Sequence, residues 1–276
     1  MAVLQLKTRS KSIGLIMESY DVKVFSKGKY KGNNEDYFGY ASGSFVVADG
    51  ATDKNGWRFN KKTAGQLVSR LVADSCLSSD LVGVDLVAYL NKTLAKLYHT
   101  IGISTLAQTP IHRLACSFIA VRLIQSKIAI TVLGDLGYRL NGRAPIKYEK
   151  KVDILNSQKR SKYIAETEDV NGSRKHLMPW LKKQFEYQNN PIHELGYGVV
   201  DGTYTPDKFI HLVIFDRKDI HTIELFTDGY FDVPEKVGID EWETMYQAVE
   251  SIDPHKYKKY KSTKAKDDRT IMIITL

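Results

Sequence analysis

The sequence predicts an α+β sandwich, in which antiparallel β-sheets are covered by helices, within a single domain of residues 1–276. Strand-like runs open and close the chain, and two long stretches with helical periodicity lie between them. No repeat and no Pro- or Gly-rich linker divides the sequence. Because the helices do not alternate with the strands, an all-parallel sheet of β-α-β units is disfavoured.

The first half of the chain supplies the opening strands and both long helices. Residues 20–25 (YDVKVF) alternate in polarity, and residues 37–50 predict two short strands around Ser42–Gly43. Apolar residues at helical spacing then predict one helix over 60–76 and a second over 84–97.

The second half returns to strand composition. Residues 116–135 predict a strand, a turn and a second strand, and 211–216 and 223–232 are two further β-type runs. A short helix is predicted over 240–251, and the closing residues 270–276 (TIMIITL) predict a final strand.

Two tracts carry the positive charge of the chain. Residues 143–183 hold eleven Lys/Arg against five Asp/Glu, show little periodicity and contain a turn signal at Asn171–Gly172. We interpret them as a basic surface excursion or flap of the single domain. Residues 256–266 hold six Lys and no acidic residue. The two tracts together carry more positive charge than the net charge of +8 for the whole chain, so the rest of the chain is net acidic.

Composition excludes several classes of protein. No apolar run approaches the roughly 20 residues of a membrane span, and the charged N-terminal residues 1–20 lack a signal-peptide core. The two cysteines, Cys76 and Cys116, are too few for a disulfide scaffold. The sequence therefore predicts a soluble, cytoplasmic protein, and its positive charge indicates an anionic partner.

Carboxylates stand where the predicted strands begin or end. An isolated Asp at such a place is commonly a turn former. Several carboxylates brought together in one cleft would repel one another unless cations neutralised them. Oxygen ligands without a Cys/His cluster suit Mg²⁺ or Mn²⁺, and a Gly after Asp would let a backbone carbonyl approach the ion. The residues concerned are Glu35, Asp36, Asp49 with Gly50, Asp135, Asp228 with Gly229, Asp267 and Asp268.

Five motifs follow one another in a recognisable order: GNNEDYFGY, FVVADGATD, CSFIAV leading to VLGDLGYRL, ELFTDGYFD and DDRTIMIITL. In this order and spacing, and over nearly its whole length, the chain resembles the metal-dependent type-2C (PPM-type) protein serine/threonine phosphatases. The resemblance implies a four-layer αββα sandwich of two antiparallel sheets flanked by helices. It also implies two Mn²⁺ or Mg²⁺ ions in a cleft at one end of the sandwich.

The resemblance also implies roles for the carboxylates. Asp49 would bridge the two ions, and the Gly50 carbonyl would bind one of them. The remaining assignments are Asp228 and Asp267 in the shell of the other ion, Glu35 and the catalytic Asp36 on metal-bound waters, Asp135 with Asp228 on a third, weaker ion, and Asp268 as a secondary residue.

The implied activity is hydrolysis of phosphoserine and phosphothreonine in proteins by a metal-activated water, without a covalent phospho-enzyme. Lys31 stands where the family commonly has the Arg that binds the substrate phosphate, and it can supply the charge but not the bidentate fork. Ala51-Thr52-Asp53 and Leu136-Gly137 also depart from the family pattern, and no His near Asp49 is available as a leaving-group acid.

Two alternatives stay open at this point. The chain could be a catalytically weak or inactive relative that binds phosphoproteins, or a basic nucleic-acid-binding protein whose acidic residues only form turns, although a nucleic-acid partner is the less expected one. For a phosphatase, we expect the two basic tracts to lie beside the cleft and to steer acidic phosphorylated substrates toward it.

Overall fold

The computed structural model describes residues 4–5 and 20–276. Most of the N-terminal segment 1–20, in which the sequence predicts no signal peptide, lies outside the described residues. Among the residues that are described, no helix has the length and apolar character needed to cross a bilayer. Both cysteines are buried free thiols.

The strands and helices agree with the predicted order except around residues 143–183. The strands, in chain order, are β1 (Leu4–Gln5), β2 (Asp21–Lys27), β3 (Asp36–Ala41), β4 (Ser44–Gly50), β5 (Arg58–Phe59), β6 (Lys62–Thr63), β7 (Cys116–Ile124), β8 (Lys127–Leu133), β9 (Gly137–Leu140), β10 (Ile146–Lys147), β11 (Ile210–Asp216), β12 (Thr222–Phe226) and β13 (Arg269–Thr275). The α-helices are α1 (Ala64–Leu77), α2 (Gly83–Thr100), α3 (Lys151–Thr167), α4 (Ser173–Lys183) and α5 (Ile239–Ile252).

Within the described residues the strands form two main sheets and one small hairpin. The first sheet has the order β1-β2-β13-β12-β9-β10, and the second has the order β11-β8-β7-β4-β3. Every pairing within them is antiparallel. Helices α1 and α2 pack on the second sheet and α5 packs on the first. This arrangement confirms the predicted αββα sandwich.

Strands β4 and β13 show why the central strands are apolar on both faces. Phe45 and Val47 of β4 enter the core between the sheets, whereas Val46 and Ala48 enter the core beneath α1 and α2. In β13, Met272 and Ile274 likewise face the other sheet, while Ile271 and Ile273 pack toward α5. A strand that is covered on both faces reads as a continuous apolar run.

Helix α1 begins later than the predicted residue 60. Residues 58–63 form the β5–β6 hairpin, and Thr63 caps the helix by accepting a hydrogen bond from the Gln66 backbone N–H. The Gln66 side chain in turn accepts one from the Thr63 N–H, which completes a capping box. The cap therefore sets the first residue of the helix, which apolar periodicity alone does not fix.

No helix is predicted in residues 143–183, which show little periodicity, yet α3 and α4 occupy most of this tract and pack on each other. The buried face of α3 is largely polar, and it includes Asn156, Ser157 and Arg160. The Arg160 guanidinium is buried, and it donates hydrogen bonds to the carbonyls of three residues in the 255–262 segment. These bonds replace those that it would make with water. A helix with a polar buried face gives no apolar periodicity to detect.

Candidate metal centre

The ends of four strands of the second sheet meet at one end of the sandwich. Asp36 at the start of β3 lies opposite Asp49 near the end of β4, and Asp49 is the register partner of Ser117 in β7. The Ser117 hydroxyl donates to Asp135 Oδ1 at 3.0 Å, just beyond β8. The second sheet therefore brings three of the predicted carboxylates to one end of the sandwich, where Asp49 and Asp135 line a cleft of about 220 Å³.

The first sheet contributes its carboxylates from β12 and β13. Asp228 follows β12, and the pairing of the two strands continues one step further, with the Thr227 N–H donating to the Thr270 carbonyl at 3.1 Å. A Cβ on Gly229 would lie 2.0 Å from the Asp268 carbonyl oxygen. Only glycine permits this close approach, which places Asp228 beside the Asp267–Asp268 pair.

Asp49 and Asp228 are carboxylates of the cleft that neither accept a hydrogen bond nor form an ion pair with any described residue. Burial raises the pKa of each well above its ordinary value, and neighbouring carboxylates raise it further. For Asp49 these neighbours are Asp36, Asp135 and Asp267. Two desolvated and unpaired carboxylates side by side are unfavourable without a cation.

Only one of the two carboxylate oxygens of Asp36 has hydrogen-bond partners. Its Oδ2 accepts from the hydroxyls of Thr227 at 2.9 Å and Thr270 at 2.8 Å, whereas its Oδ1 is buried without a hydrogen-bond partner. Burial raises the pKa of Asp36 to about 8, and the nearby Asp268, Asp267 and Asp228 carboxylates raise it too, although the Thr270 hydrogen bond opposes the shift.

Lysines already pair with the other carboxylates. Burial disfavours the charge on these lysines, but the carboxylates outweigh burial and hold the pKa of each lysine above its ordinary value. Their ammonium nitrogens lie at these distances: Lys29 at 2.8 Å from Glu35 and 3.0 Å from Asp268, Lys150 at 2.7 Å from Asp135, and Lys264 at 2.5 Å from Asp267.

Glu35 connects the centre to α1. Besides Lys29, it accepts hydrogen bonds from the hydroxyls of Thr52 and of the helix cap Thr63, and the Lys29 charge and these bonds outweigh burial, so the pKa of Glu35 lies below its ordinary value. The start of α1 also presses on Gly50, where a Cβ would lie 2.2 Å from the Gly65 carbonyl oxygen. Gly50 therefore has a packing reason to be glycine in addition to its predicted role as a carbonyl ligand.

The donor set fits a hard divalent cation. Within the described residues, no three His, Cys, Asp or Glu side chains are already gathered around one cation position. Asp49 and Asp228 nevertheless have no hydrogen-bond or ion-pair partner among the described residues, and Asp36 Oδ1 has no hydrogen-bond partner, so these oxygens are available to a cation. Carboxylate and carbonyl oxygens are the ligands that Mg²⁺ and Mn²⁺ take.

Lys31, the predicted phosphate-binding residue, is exposed. The neighbouring Lys29 instead contacts carboxylates of the centre, those of Glu35 and Asp268. The ion pairs of Lys29, Lys150 and Lys264 depend on the fold, so these lysines were not among the predicted residues of the centre. Only Lys264, three residues before Asp267, had a local signal.

Both basic tracts contribute to the cleft wall, as expected. Of the described residues, seven acidic and seven basic ones line the cleft, and no described histidine does. The basic lining residues are Lys29, Lys54, Lys147, Lys150, Arg174, Lys261 and Lys264.

Lys54 is a lining lysine that holds its proton less tightly than an ordinary lysine. Burial, together with the nearby charges of Arg174 and Lys264, lowers its pKa to about 7. Its ammonium donates to the Thr52 carbonyl at 2.5 Å. Lys54 is thus a cleft side chain whose proton can be lost near neutral pH.

No family model and no curated protein sequence matches the chain. Solved structures do match. A bacterial serine phosphatase has a TM-score of 0.53 at 13% identity, over 92% of this chain and 96% of that one. Serine/threonine phosphatase Stp1 from Staphylococcus aureus has 0.53 at 14%, over 98% and 99%. The catalytic domain of the serine/threonine phosphatase PstP, in complex with two manganese ions, has 0.50 at 14%, over 93% and 97%.

At these identities the likeness is one of fold, and it extends over nearly the whole of each chain. The protein therefore has the fold of serine/threonine phosphatases, as the order of its motifs predicts.

Proposed function

We propose that the chain is a metal-dependent phosphatase, a phosphoric monoester hydrolase that acts on phosphoserine and phosphothreonine in proteins. The proposal is supported by two neighbouring half-buried carboxylates, Asp49 and Asp228, which have no ion-pair partner among the described residues and lie in a cleft lined by basic side chains. The buried free thiols Cys76 and Cys116 suit the reducing cytoplasm in which we place the activity.

We propose two Mn²⁺ or Mg²⁺ ions as cofactors. Asp49 would lie between them, with Asp228, Asp267 and the Gly50 carbonyl completing the inner ligands, while Glu35 and Asp36 hold the outer water shell. Such ions lower the pKa of a bound water and neutralise phosphate oxygens. The repulsion among these carboxylates in the protein alone supports this assignment.

The basic lining supplies the substrate contacts. The cationic side chains of the two tracts attract a phosphate dianion and orient it toward the carboxylate edge. Lys31, which is exposed, stays our predicted phosphate-binding residue. Lys54 Nζ, with its pKa near neutrality, is the proton donor that we propose for the departing serine or threonine oxygen.

A specific observation favours one alternative. Lys29 and Lys264 already neutralise Glu35, Asp268 and Asp267, which are among the predicted metal-site residues. If these ion pairs persist in solution, the cleft would bind a phosphorylated protein through its other basic side chains without hydrolysing it. This alternative predicts phosphopeptide affinity without turnover.

Turnover of p-nitrophenyl phosphate and of a phosphothreonine peptide with Mn²⁺, with EDTA, and after Asp49→Asn tests the proposal. We expect activity only with Mn²⁺ and its loss in the variant. Asp216→Asn, which removes an exposed carboxylate paired with Lys127 far from the cleft, is the matched control. Phosphopeptide binding without Mn²⁺-dependent turnover would instead favour the binding module, and tight duplex DNA binding without turnover would favour the nucleic-acid alternative.

A further inference from the structure

Lys150 lies inside the cleft, at the residue that precedes α3. Its ammonium nitrogen is 2.7 Å from Asp135 Oδ1 and 3.1 Å from the Ser117 hydroxyl, and it lies 5.3 Å from the centre of the Tyr197 ring. The Lys150 and Asp135 side chains are only 14% and 11% exposed. The pair is therefore enclosed and held by more than one contact.

Asp135 differs in this respect from Asp49 and Asp228. It accepts from both the Lys150 ammonium and the Ser117 hydroxyl, whereas the other two carboxylates have no such partner among the described residues. A divalent cation bound at Asp135 would lie within a few ångströms of the ammonium. Because like charges repel strongly in an enclosed site, the ion and the ammonium cannot share that position.

The Lys264–Asp267 pair does not carry the same argument. Its partners are three residues apart on one segment, and the Lys264 side chain is 29% exposed, so it can turn away when an ion arrives. Asp135 follows β8, whereas Lys150 directly precedes α3, whose Arg160 donates hydrogen bonds to the carbonyls of His255 and Lys256. The Lys150 side chain, which is only 14% exposed, therefore has less room to move away from Asp135.

We propose that Lys150 is a built-in cation that occupies the Asp135 position and excludes a divalent ion from it. The third, weaker ion that the family resemblance implies at Asp135 is then absent from this protein, and its place in the charge balance is taken by an ammonium. The inference concerns the same centre as the proposed function and rests on it for the cations at Asp49 and Asp228.

Removal of the ammonium should open a cation site. The number of Mn²⁺ ions bound per full-length chain is measured by electron paramagnetic resonance of free Mn²⁺ and by calorimetry, for wild type and Lys150→Met. We expect the variant to bind one more Mn²⁺ than wild type. Lys147→Met, which removes a cleft lysine that donates to the Tyr230 carbonyl at 3.0 Å, should bind the wild-type number.

Further variants make the result decisive. The double variant Asp135→Asn/Lys150→Met should return to the wild-type number, because the new site needs the Asp135 carboxylate. Lys150→Gln keeps a hydrogen-bond donor for Asp135 and serves in place of Lys150→Met if that variant does not fold. Equal Mn²⁺ numbers in wild type and the folded Lys150 variant would overturn the inference. Absence of Mn²⁺ from wild type would overturn the proposed function, while a single ion gained by Lys150→Met would still support the role of Lys150.

Discussion

Asp36 lies directly opposite Asp49 in the antiparallel pairing of β3 with β4, so two desolvated carboxylates of like charge face each other across neighbouring strands. Like charges in this position are destabilising. The fold accepts the cost at the edge of the sandwich where Asp228 and Asp267 also lie. Repulsion among carboxylates that is confined to one cleft, and that bound cations would relieve, is typical of a functional centre.

The first prediction concerns Asp49. At a pH at which Asp36 and Asp49 are both ionised, Asp49→Asn should stabilise the protein in EDTA by ~1 kcal/mol, because it removes one of two facing like charges. In wild type, Mn²⁺ at 100 times its dissociation constant should add about 2.7 kcal/mol, and the variant should lose this gain. Thermal unfolding with and without Mn²⁺ measures both effects, with Asp216→Asn as the control. A destabilised variant that still responds to Mn²⁺ would contradict the assignment of Asp49.

The second prediction concerns pH. The pKa of Asp36 is about 8 in the folded protein against an ordinary 3.8, so between these values the folded state binds more protons than the unfolded state. The free energy of unfolding in EDTA should therefore fall as pH rises from about 4 to about 8, by up to ~1.4 kcal/mol per pH unit. Urea unfolding at several pH values measures it, and Asp36→Asn should flatten the curve. A free energy that rises over this interval would refute the sign.

The sequence predicted the carboxylates of the centre but not the lysines that pair with them. Each of these carboxylates adjoins a predicted strand, so its place follows from a local pattern. The contact of Lys29 with Asp268 joins residues 239 positions apart, and only the pairing of β2 with β13 brings them together. The polar buried face of α3, with Arg160 inside, hid that helix for a similar reason, since its partners lie in the 255–262 segment.

The third prediction separates two lysines. Lys29→Met should destabilise the protein by about 3 kcal/mol, because Glu35 and Asp268 would each lose a buried ion-pair partner. Lys31→Ala should leave the free energy of unfolding nearly unchanged, because Lys31 is exposed. If Lys31 binds the substrate phosphate as predicted, its variant should instead raise KM for a phosphopeptide. Urea unfolding and steady-state kinetics on both variants measure this, and the reverse pattern would exchange the two roles.

The fourth prediction tests substrate steering by the second basic tract. Lys258, Lys259 and Lys261 are exposed, and Lys261 lines the cleft. Changing all three to Ala should lower kcat/KM on an acidic phosphopeptide at low salt and make its dependence on ionic strength shallower, because attraction to a charged surface is screened by salt. The buried Lys256, which donates to Glu250 and to the Asp253 carbonyl, is left in place because it stabilises the fold. If the dependence of kcat/KM on ionic strength were the same in the variant and in wild type, these lysines would have no steering role.

The fifth prediction concerns Lys54 as the acid of the reaction. A general acid works in its protonated form, so with a pKa of about 7 the kcat/KM for phosphoserine peptides should fall as pH rises above neutrality. Lys54→Met should abolish this alkaline limb and lower the rate by about 100-fold, the smaller end of the range for general acid catalysis.

Two substrates that differ in their leaving group distinguish a lysine that donates a proton from one with only a structural role. The alkoxide of serine must take up a proton as it departs, whereas p-nitrophenolate departs readily as an anion. Lys54→Met should therefore slow the phosphoserine peptide strongly and p-nitrophenyl phosphate little. Lys62→Met, at an exposed lysine of the adjacent β5–β6 hairpin, controls for loss of charge alone. An equal loss on both substrates would mean that Lys54 acts through phosphate binding or structure, because only proton donation depends on the basicity of the departing oxygen.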